Sequence, residues 1–168
     1  MTVAELGRLY DYAYWANGKL LGAVAELSDD EFTRDVAGSY GSVRNTLVHV
    51  LSAEWGWLDR CGGPPRGPKL EPNAFPTLAA IREPWDRVEA GMRRFLAGLT
   101  DADLERLIEF SFPQSGTRVL PLGTLLQHGA VHGIHHRGQV ALLLRLLGHA
   151  PGNVDLLFFD LERAVRAG

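Results

Sequence analysis

The sequence has few of the features that mark secreted, membrane or nucleic-acid-binding proteins. Its single cysteine, Cys61, cannot form an intramolecular disulfide, which fits a reducing cytoplasmic setting. No stretch approaches the roughly 18 consecutive apolar residues of a transmembrane helix, and the N-terminus shows no signal-peptide pattern. The net charge is −3 and the arginines are scattered among acidic residues, so neither nucleic acid nor a membrane is an expected partner. These absences leave a cytoplasmic globular protein as the expectation.

Helical periodicity extends over most of the chain. With 168 residues, 46% of them hydrophobic, residues 1–168 can form a single domain with a sizeable core. Apolar residues recur at helical spacing in five segments, at 3–27, 42–61, 77–99, 121–148 and 154–167. A proline-rich loop occupies 62–76, and 110–122 is expected to be irregular or a short β-ribbon. Pro84 is expected to kink the third helix or delay its start. The pattern predicts an all-α four-helix bundle with a short extra C-terminal helix.

The segment HGAVHGIHHRGQ, residues 128–139, holds four of the six histidines of the protein. At about 100° per residue, His132 and His136 lie within about 40° of each other on the apolar stripe, so both are predicted to point into the bundle. Two imidazoles at i and i+4 can converge on one metal ion, but core histidines that bond to their neighbours show the same spacing. Gly133 stands where an HExxH motif would have its glutamate. Arg137 falls on the outer face, where we expect a structural salt bridge.

A metal site needs at least one further protein ligand, and His49 on the second helix is the remaining candidate. It lies at the edge of the apolar stripe among small residues that would leave room for a pocket, although a surface histidine would occupy the same position. His128, one turn before His132, can line such a pocket or cap a layer of the core. Cys61 lies about 120° from His49 around the helix and is not expected to be a ligand.

Three glycines, Gly129, Gly133 and Gly138, interrupt the histidine-rich helix. Each costs about 1 kcal/mol relative to alanine in a helix interior. Close approach of another helix, or of a substrate, at Gly129 and Gly133 would offset that cost. The spacing alone does not distinguish these two explanations.

Three segments of the chain resemble the bacterial DinB/YfiT-like family. They are YDYAYWANGKLL at 10–21, GSYGSVRNTLVHVLSAEWGWLDR at 38–60, and the stretch from LLQHGAVHGIHHRGQ to the LLFF at 156–159. The HxxxHRGQ element is the most specific of these, because the family carries a similar string. Residues 75–120 match only in general layout.

The resemblance implies a four-helix bundle of unusual connectivity and a divalent metal, zinc or nickel, held by three histidines. Carried over by position, the ligands are His49, His132 and His136. Relatives are often dimeric, which makes a homodimer an expectation here. Three nitrogens with an open coordination position are typical of a catalytic rather than a structural metal site.

The function that the resemblance implies is a metal-dependent enzyme acting on a small molecule. Thiol-dependent S-transferases among the relatives suggest a low-molecular-weight thiol as co-substrate, and a hydrolase is the other reaction considered. The alternative is a non-catalytic stress-response protein that binds a metal or small ligand. No catalytic residue is assigned beyond the metal ligands. Candidate pocket or supporting residues are His128, Gln139, Tyr10, Asn17 and Trp57.

Overall fold

The computed structural model describes residues 1–63, 65, 67–112 and 116–167, and within them it places six α-helices and one hairpin. The helices are α1 (Val3–Val24), α2 (Asp29–Thr33), α3 (Val43–Arg60), α4 (Leu78–Ala97), α5 (Leu122–Leu146) and α6 (Leu156–Ala167). The strands are β1 (Leu107–Phe112) and β2 (Gly116–Pro121), and short 3₁₀ turns lie at Pro72–Ala74 and Asp101–Glu105. The four long helices α1, α3, α4 and α5 form the bundle and α6 is the extra C-terminal helix, so the predicted fold class is confirmed.

Local capping chemistry explains where the helices begin. Thr2, Ser42 and Thr77 each accept a hydrogen bond from a backbone amide in the first turn of the helix that follows. Ser28 does the same for α2, a five-residue helix that the periodicity did not predict. Pro84 lies inside α4, which begins at Leu78, so the expected late start is wrong.

The predicted β-ribbon is an antiparallel hairpin that joins the 3₁₀ turn after α4 to the start of α5. Leu107 pairs with Pro121 and Phe112 with Gly116, and the amide of Leu122 donates to the carbonyl of Arg106 at 2.8 Å. Residues 113–115 within this segment lie outside the described residues, as do Pro64 and Arg66 of the proline-rich loop.

Two apolar clusters fill the bundle on either side of a polar layer. One cluster contains Leu47 and Ile81, and the other contains Leu6 and Met92. Between them, α1, α3 and α5 bring the buried polar side chains of Asn17, Glu54 and Arg137 to one level. None of the helices described is both long enough and apolar enough to cross a lipid bilayer.

Candidate metal centre

Three histidines from two helices converge on one point at the side of the bundle. His49 is on α3, and His132 and His136 are one turn apart on α5, which packs against α3. The Nε2 atom of His136 lies 3.1 Å from Nε2 of His49 and 3.1 Å from Nε2 of His132. Among the described residues these three form a group whose ligand atoms all lie within 4.8 Å of one another. The structure therefore brings together the three histidines that the family resemblance singled out.

The spacing of these nitrogens fits a single transition-metal ion. Two nitrogens bound to one ion at about 2.0–2.1 Å lie about 2.8–3.4 Å apart, depending on whether the angle between them is octahedral or tetrahedral. The observed 3.1 Å separations fall in that range. One proton can bridge two of the neutral imidazoles, and the third nitrogen then needs a donor from outside the histidines. The donor set and its geometry thus suit a cation better than a network of histidines alone.

Gln139 fixes the orientation of His136. Its Oε1 lies 2.6 Å from Nδ1 of His136, and the hydroxyl of Ser39 donates to the same oxygen at 2.7 Å. Because an amide oxygen only accepts, Nδ1 of His136 carries the proton and Nε2 keeps its lone pair for the centre. A hydrogen bond on the outer nitrogen is the usual way in which a protein orients a metal-binding imidazole.

Burial keeps the three imidazoles neutral. Desolvation lowers the pKa of His49 and of His132 to about 4, and the neighbouring His136 acts in the same direction on both. Desolvation also lowers the pKa of His136, against the hydrogen bond that its Nδ1 donates to Gln139, which raises it. Neutral imidazole is the form that binds a metal ion. His136 is buried, while His49 and His132 are half-buried and leave one side of the cluster open.

Tyr40 is a neighbour of the centre that the sequence pattern did not reveal. Its ring stacks on the ring of His49, with centroids 4.1 Å apart and planes inclined by 20°, and its hydroxyl lies 3.0 Å from Nε2 of His49. The residue belongs to the GSYGS turn at 38–42, which the sequence marks only as a glycine-rich connection. The only sign of this contact in the sequence is that a tyrosine lies in a turn nine residues before a histidine of the following helix.

The other predicted pocket residues occupy different environments. His128 is exposed, with its ring centroid 4.7 Å from that of Trp57 and 5.8 Å from that of His132, so it flanks the centre without joining it. Trp57 and Tyr10 are buried in the core, where the Tyr10 hydroxyl donates to the carbonyl of Leu126 at 2.9 Å. His135 is exposed and touches Gln139 rather than the other imidazoles' Nε2 atoms.

Arg137 does not lie on the outer face as predicted; it is buried with Asn17 and Glu54. Its Nη1 donates to Oδ1 of Asn17 at 3.0 Å, while Nδ2 of Asn17 approaches Oε1 of Glu54 at 3.5 Å. The indole of Trp85 donates to the other oxygen of Glu54 at 3.0 Å. Burial raises the pKa of Glu54 to about 7, against the charge of Arg137, which lowers it. Asn17 belongs to this network and not to a pocket around the three histidines.

The prediction for Arg137 was wrong because the buried face of α5 is not centred on the stripe that contains His132 and His136. The buried face of α5 follows the line of Gly129, Gly133 and Val140, and His132 lies at the edge of that face, half-buried. At about 100° per residue, Arg137 falls inside an arc centred on Gly133. The histidines of the cluster therefore lie towards one edge of the buried face of α5. A ligand can reach this edge from solvent.

Two of the three glycines make room for side chains of the protein itself. A Cβ atom at Gly129 would lie 3.0 Å from the hydroxyl of Tyr10, and one at Gly133 would lie 2.9 Å from Nη1 of Arg137. Close packing therefore accounts for both positions without a substrate. Gly138 has nothing within 4 Å of such an atom, and nothing in the structure explains it.

Comparisons with known proteins agree with the fold. The model of the DinB family matches residues 1–164. Protein DinB of Bacillus subtilis (strain 168) is 27% identical over 158 residues, which cover 88% of this chain and 89% of that protein. A DinB-like protein from Bacillus cereus ATCC 10987 superimposes with a TM-score of 0.76 at 22% identity, over 92% of this chain and 98% of that one. YfiT from Bacillus subtilis is described as a probable metal-dependent hydrolase with an unusual four-helix bundle topology. It superimposes with a TM-score of 0.55 at 21% identity, over 85% of this chain and 87% of that one.

Proposed function

This chain belongs to the DinB family, and we propose that it is an enzyme that acts on a small molecule with a divalent metal ion held by His49, His132 and His136. The observation that carries the proposal is the convergence of three neutral Nε2 atoms at a half-open edge of the bundle. The description of YfiT as a probable metal-dependent hydrolase supports the same class. Zinc or nickel is the ion we propose, because imidazole nitrogens suit both.

Transfer of a thiol to a small electrophile is the reaction we propose first, and hydrolysis is the second. An ion in this site would supply positive charge that favours the thiolate form of a thiol or polarises a water molecule. Among the described residues, no hydrogen bond or ion pair joins a carboxylate to the three imidazoles, so no general base is in place to deprotonate water. A thiol, with a pKa near 8.5, needs such a base less than water does.

The thiol has to come from a co-substrate. Cys61 is buried at the end of α3, and burial raises the pKa of its thiol to about 12, so it stays protonated and unreactive. The open side of the cluster beside Tyr40, His128 and His132 is where a small thiol and its acceptor can reach the three nitrogens. The chain's own part is to hold the imidazoles neutral and oriented through Gln139.

Metal content and turnover test the proposal in sequence. The purified protein is stripped of metal, reloaded separately with zinc, nickel, cobalt or manganese, and analysed for bound metal. We expect about one equivalent in wild type and in His128→Ala, and less than about a tenth of an equivalent in His132→Ala. Less than that in wild type would overturn the proposal.

Turnover then separates an enzyme from a non-catalytic binder. Each loaded protein is assayed with small thiols and an electrophilic acceptor, and in parallel with chromogenic esters and amides. Thiol transfer that is lost in His132→Ala and kept in His149→Ala, a control that removes a histidine paired with Glu31, is the expected result. Ester or amide cleavage with the same dependence would favour the hydrolase, and bound metal with no turnover would favour the binder.

A further inference from the structure

We infer that Tyr40 binds the anionic ligand of the three-histidine site, by donating its phenolic hydrogen bond to that ligand on the open side of the cluster. The inference rests on the proposed function, because it requires an ion between the three imidazoles. Nothing in the GSYGS turn itself requires a tyrosine at this place, so the contact with the centre is what needs an explanation.

The hydroxyl of Tyr40 and a metal ion compete for the same electron pair. The hydroxyl lies 3.0 Å from Nε2 of His49, and with the proton of that imidazole on Nδ1 the phenol is the donor. A neutral imidazole nitrogen has one lone pair, and an ion bound by His49 would use it. The hydroxyl then has to donate to a different acceptor, and the atom beside His49 in a loaded site is the ligand that shares the ion.

The surrounding turn holds the phenol in place. The Tyr40 ring is stacked on the His49 ring, and its carbonyl accepts from Nδ2 of Asn45 at 3.1 Å. On the preceding residue, the hydroxyl of Ser39 donates to Gln139, which also orients His136. One turn thus links the phenol to two of the three imidazoles.

The backbone of this turn is strained next to Tyr40. Ala37 and Ser39 have φ of 55° and 51°, left-handed values that residues other than glycine seldom adopt. Such conformations cost about 1–3 kcal/mol each and persist where the surrounding contacts enforce them, often at binding sites. Here the contacts with Gln139 and Asn45 enforce a geometry that keeps the Tyr40 hydroxyl within reach of the centre.

The charge of the site selects an anion as the acceptor. The three imidazoles, Gln139 and Tyr40 are neutral, and among the described residues no carboxylate contacts the imidazoles. A divalent ion in the cluster would keep its full charge, which a thiolate or another small anion would offset. Tyr40 is 45% exposed, so a ligand arriving from solvent meets its hydroxyl.

Cobalt-loaded protein with thiocyanate as the probe tests this inference without relying on turnover. Binding of thiocyanate to cobalt(II) is followed by the visible absorption of the ion, in wild type and in Tyr40→Phe, which keeps the stacked ring. We expect Tyr40→Phe to bind cobalt as completely as wild type and thiocyanate at least about tenfold more weakly, because a hydrogen bond to a charged group is lost. Tyr12→Phe is the matched control, since that hydroxyl bonds to the carbonyl of Val154 at the contact of α1 with the segment before α6.

The outcomes distinguish this inference from the proposed function. Equal thiocyanate affinities in cobalt-loaded wild type and Tyr40→Phe would overturn the inference and leave the metal site standing. An equal loss in Tyr12→Phe would also overturn it. A cobalt spectrum that already differs in Tyr40→Phe before thiocyanate is added would place the phenol on the metal and contradict its role as a donor. Failure of the wild type to bind cobalt, zinc or nickel would overturn the proposed function and the inference together.

Discussion

Helices α3 and α5 contribute to two polar clusters, one closed inside the bundle and one open at its side. Glu54 and Arg137 belong to the closed cluster, which is buried and in which Asn17 bridges a carboxylate and a guanidinium. His49 and His136 belong to the open cluster, in which the Nε2 atoms of neutral imidazoles face one another. The sequence separations are small, five residues on α3 and one on α5, so neighbouring side chains of the same two helices end in opposite environments.

The difference lies in whether the chain supplies the complementary charge. In the closed cluster, opposite charges and hydrogen bonds offset much of the cost of burying polar groups. In the open cluster, three neutral Nε2 atoms meet, and the hydroxyl of Tyr40 is the polar group that the described residues place beside them. Polar groups that the protein holds together without a partner of opposite charge indicate a ligand from outside. The two clusters should therefore respond differently to mutation.

Removal of Glu54 is expected to have the largest effect on stability. Glu54→Leu removes the carboxyl group that accepts from the buried Trp85 indole and from Asn17, and it leaves the buried Arg137 network incomplete. We therefore expect a loss of about 3–5 kcal/mol in the free energy of unfolding. Urea unfolding of the metal-free protein at neutral pH measures it. His49→Leu in the open cluster should cost less than about 1 kcal/mol, since the Tyr40 hydroxyl that loses its partner belongs to an exposed residue and can bond to water instead. Similar losses in both variants would contradict the distinction between the clusters.

Removal of Gln139 should weaken the open cluster through metal affinity and not through folding. In Gln139→Ala, Nδ1 of His136 loses its acceptor, so the ring can turn and its proton can move to the other nitrogen. We expect metal affinity to fall about 10–100-fold, as is typical when the support of a metal-binding imidazole is removed. Competition with a chromogenic chelator measures the change. His135→Ala removes the outer partner of Gln139 and a ring contact with His136 but keeps the Gln139–His136 hydrogen bond, so it is the control and should stay within about threefold of wild type.

The helical framework follows from local chemistry that the sequence displays directly. Apolar periodicity predicted a helix over 77–99, and the observed α4 spans Leu78–Ala97 with Thr77 as its N-cap. The pairing of His132 and His136 followed from the helical repeat. The assignment of His49 as the third ligand needed the family resemblance. Helical periodicity shows which face of a helix a residue lies on, but it does not show which other helix packs against that face.

Two features depended on tertiary structure and were missed. The burial of Arg137 depends on a carboxylate from α3 and an amide from α1, which no single helix reveals. Tyr40 lies over His49 because the backbone of the turn is held in left-handed conformations by contacts with α3 and α5. Helical periodicity and turn composition describe one segment at a time. They therefore fail for a charged residue on an apolar face, such as Arg137, and for an aromatic residue in a strained turn, such as Tyr40.

The pH dependence of stability should distinguish Glu54 from the histidines. The pKa of Glu54 is raised to about 7 in the folded protein, so between about pH 4.5 and 7 the folded state binds more protons than the unfolded state, and this group's contribution to stability falls as pH rises. His49 and His132, with lowered pKa values, act in the opposite direction. Since Glu54→Gln retains those histidines, the stability difference between wild type and this variant isolates the carboxyl group.

We expect the stability of wild type relative to Glu54→Gln to fall by about 1–2 kcal/mol between pH 5 and pH 7 and to level off above pH 7. Denaturant unfolding of metal-free protein at one-unit pH intervals measures it. A relative stability that rises over this interval would mean that the charge of Arg137 dominates over desolvation, and that the Glu54 carboxylate is ionised throughout.

The glycines of α5 allow the comparison with the smallest expected effect, between a position packed against a side chain and a position with free space around it. Gly138→Ala adds a methyl group in open space and should stabilise the protein by about 0.5–1 kcal/mol, because alanine is the better helix former. Gly133→Ala gains the same helix propensity but forces Nη1 of Arg137 away from its position near Asn17, so we expect a net loss of about 1 kcal/mol. Thermal unfolding of both variants measures the difference. Stabilisation by both alanines would show that Arg137 can move freely, and the closed cluster would then owe its stability to burial rather than to a fixed hydrogen-bond geometry.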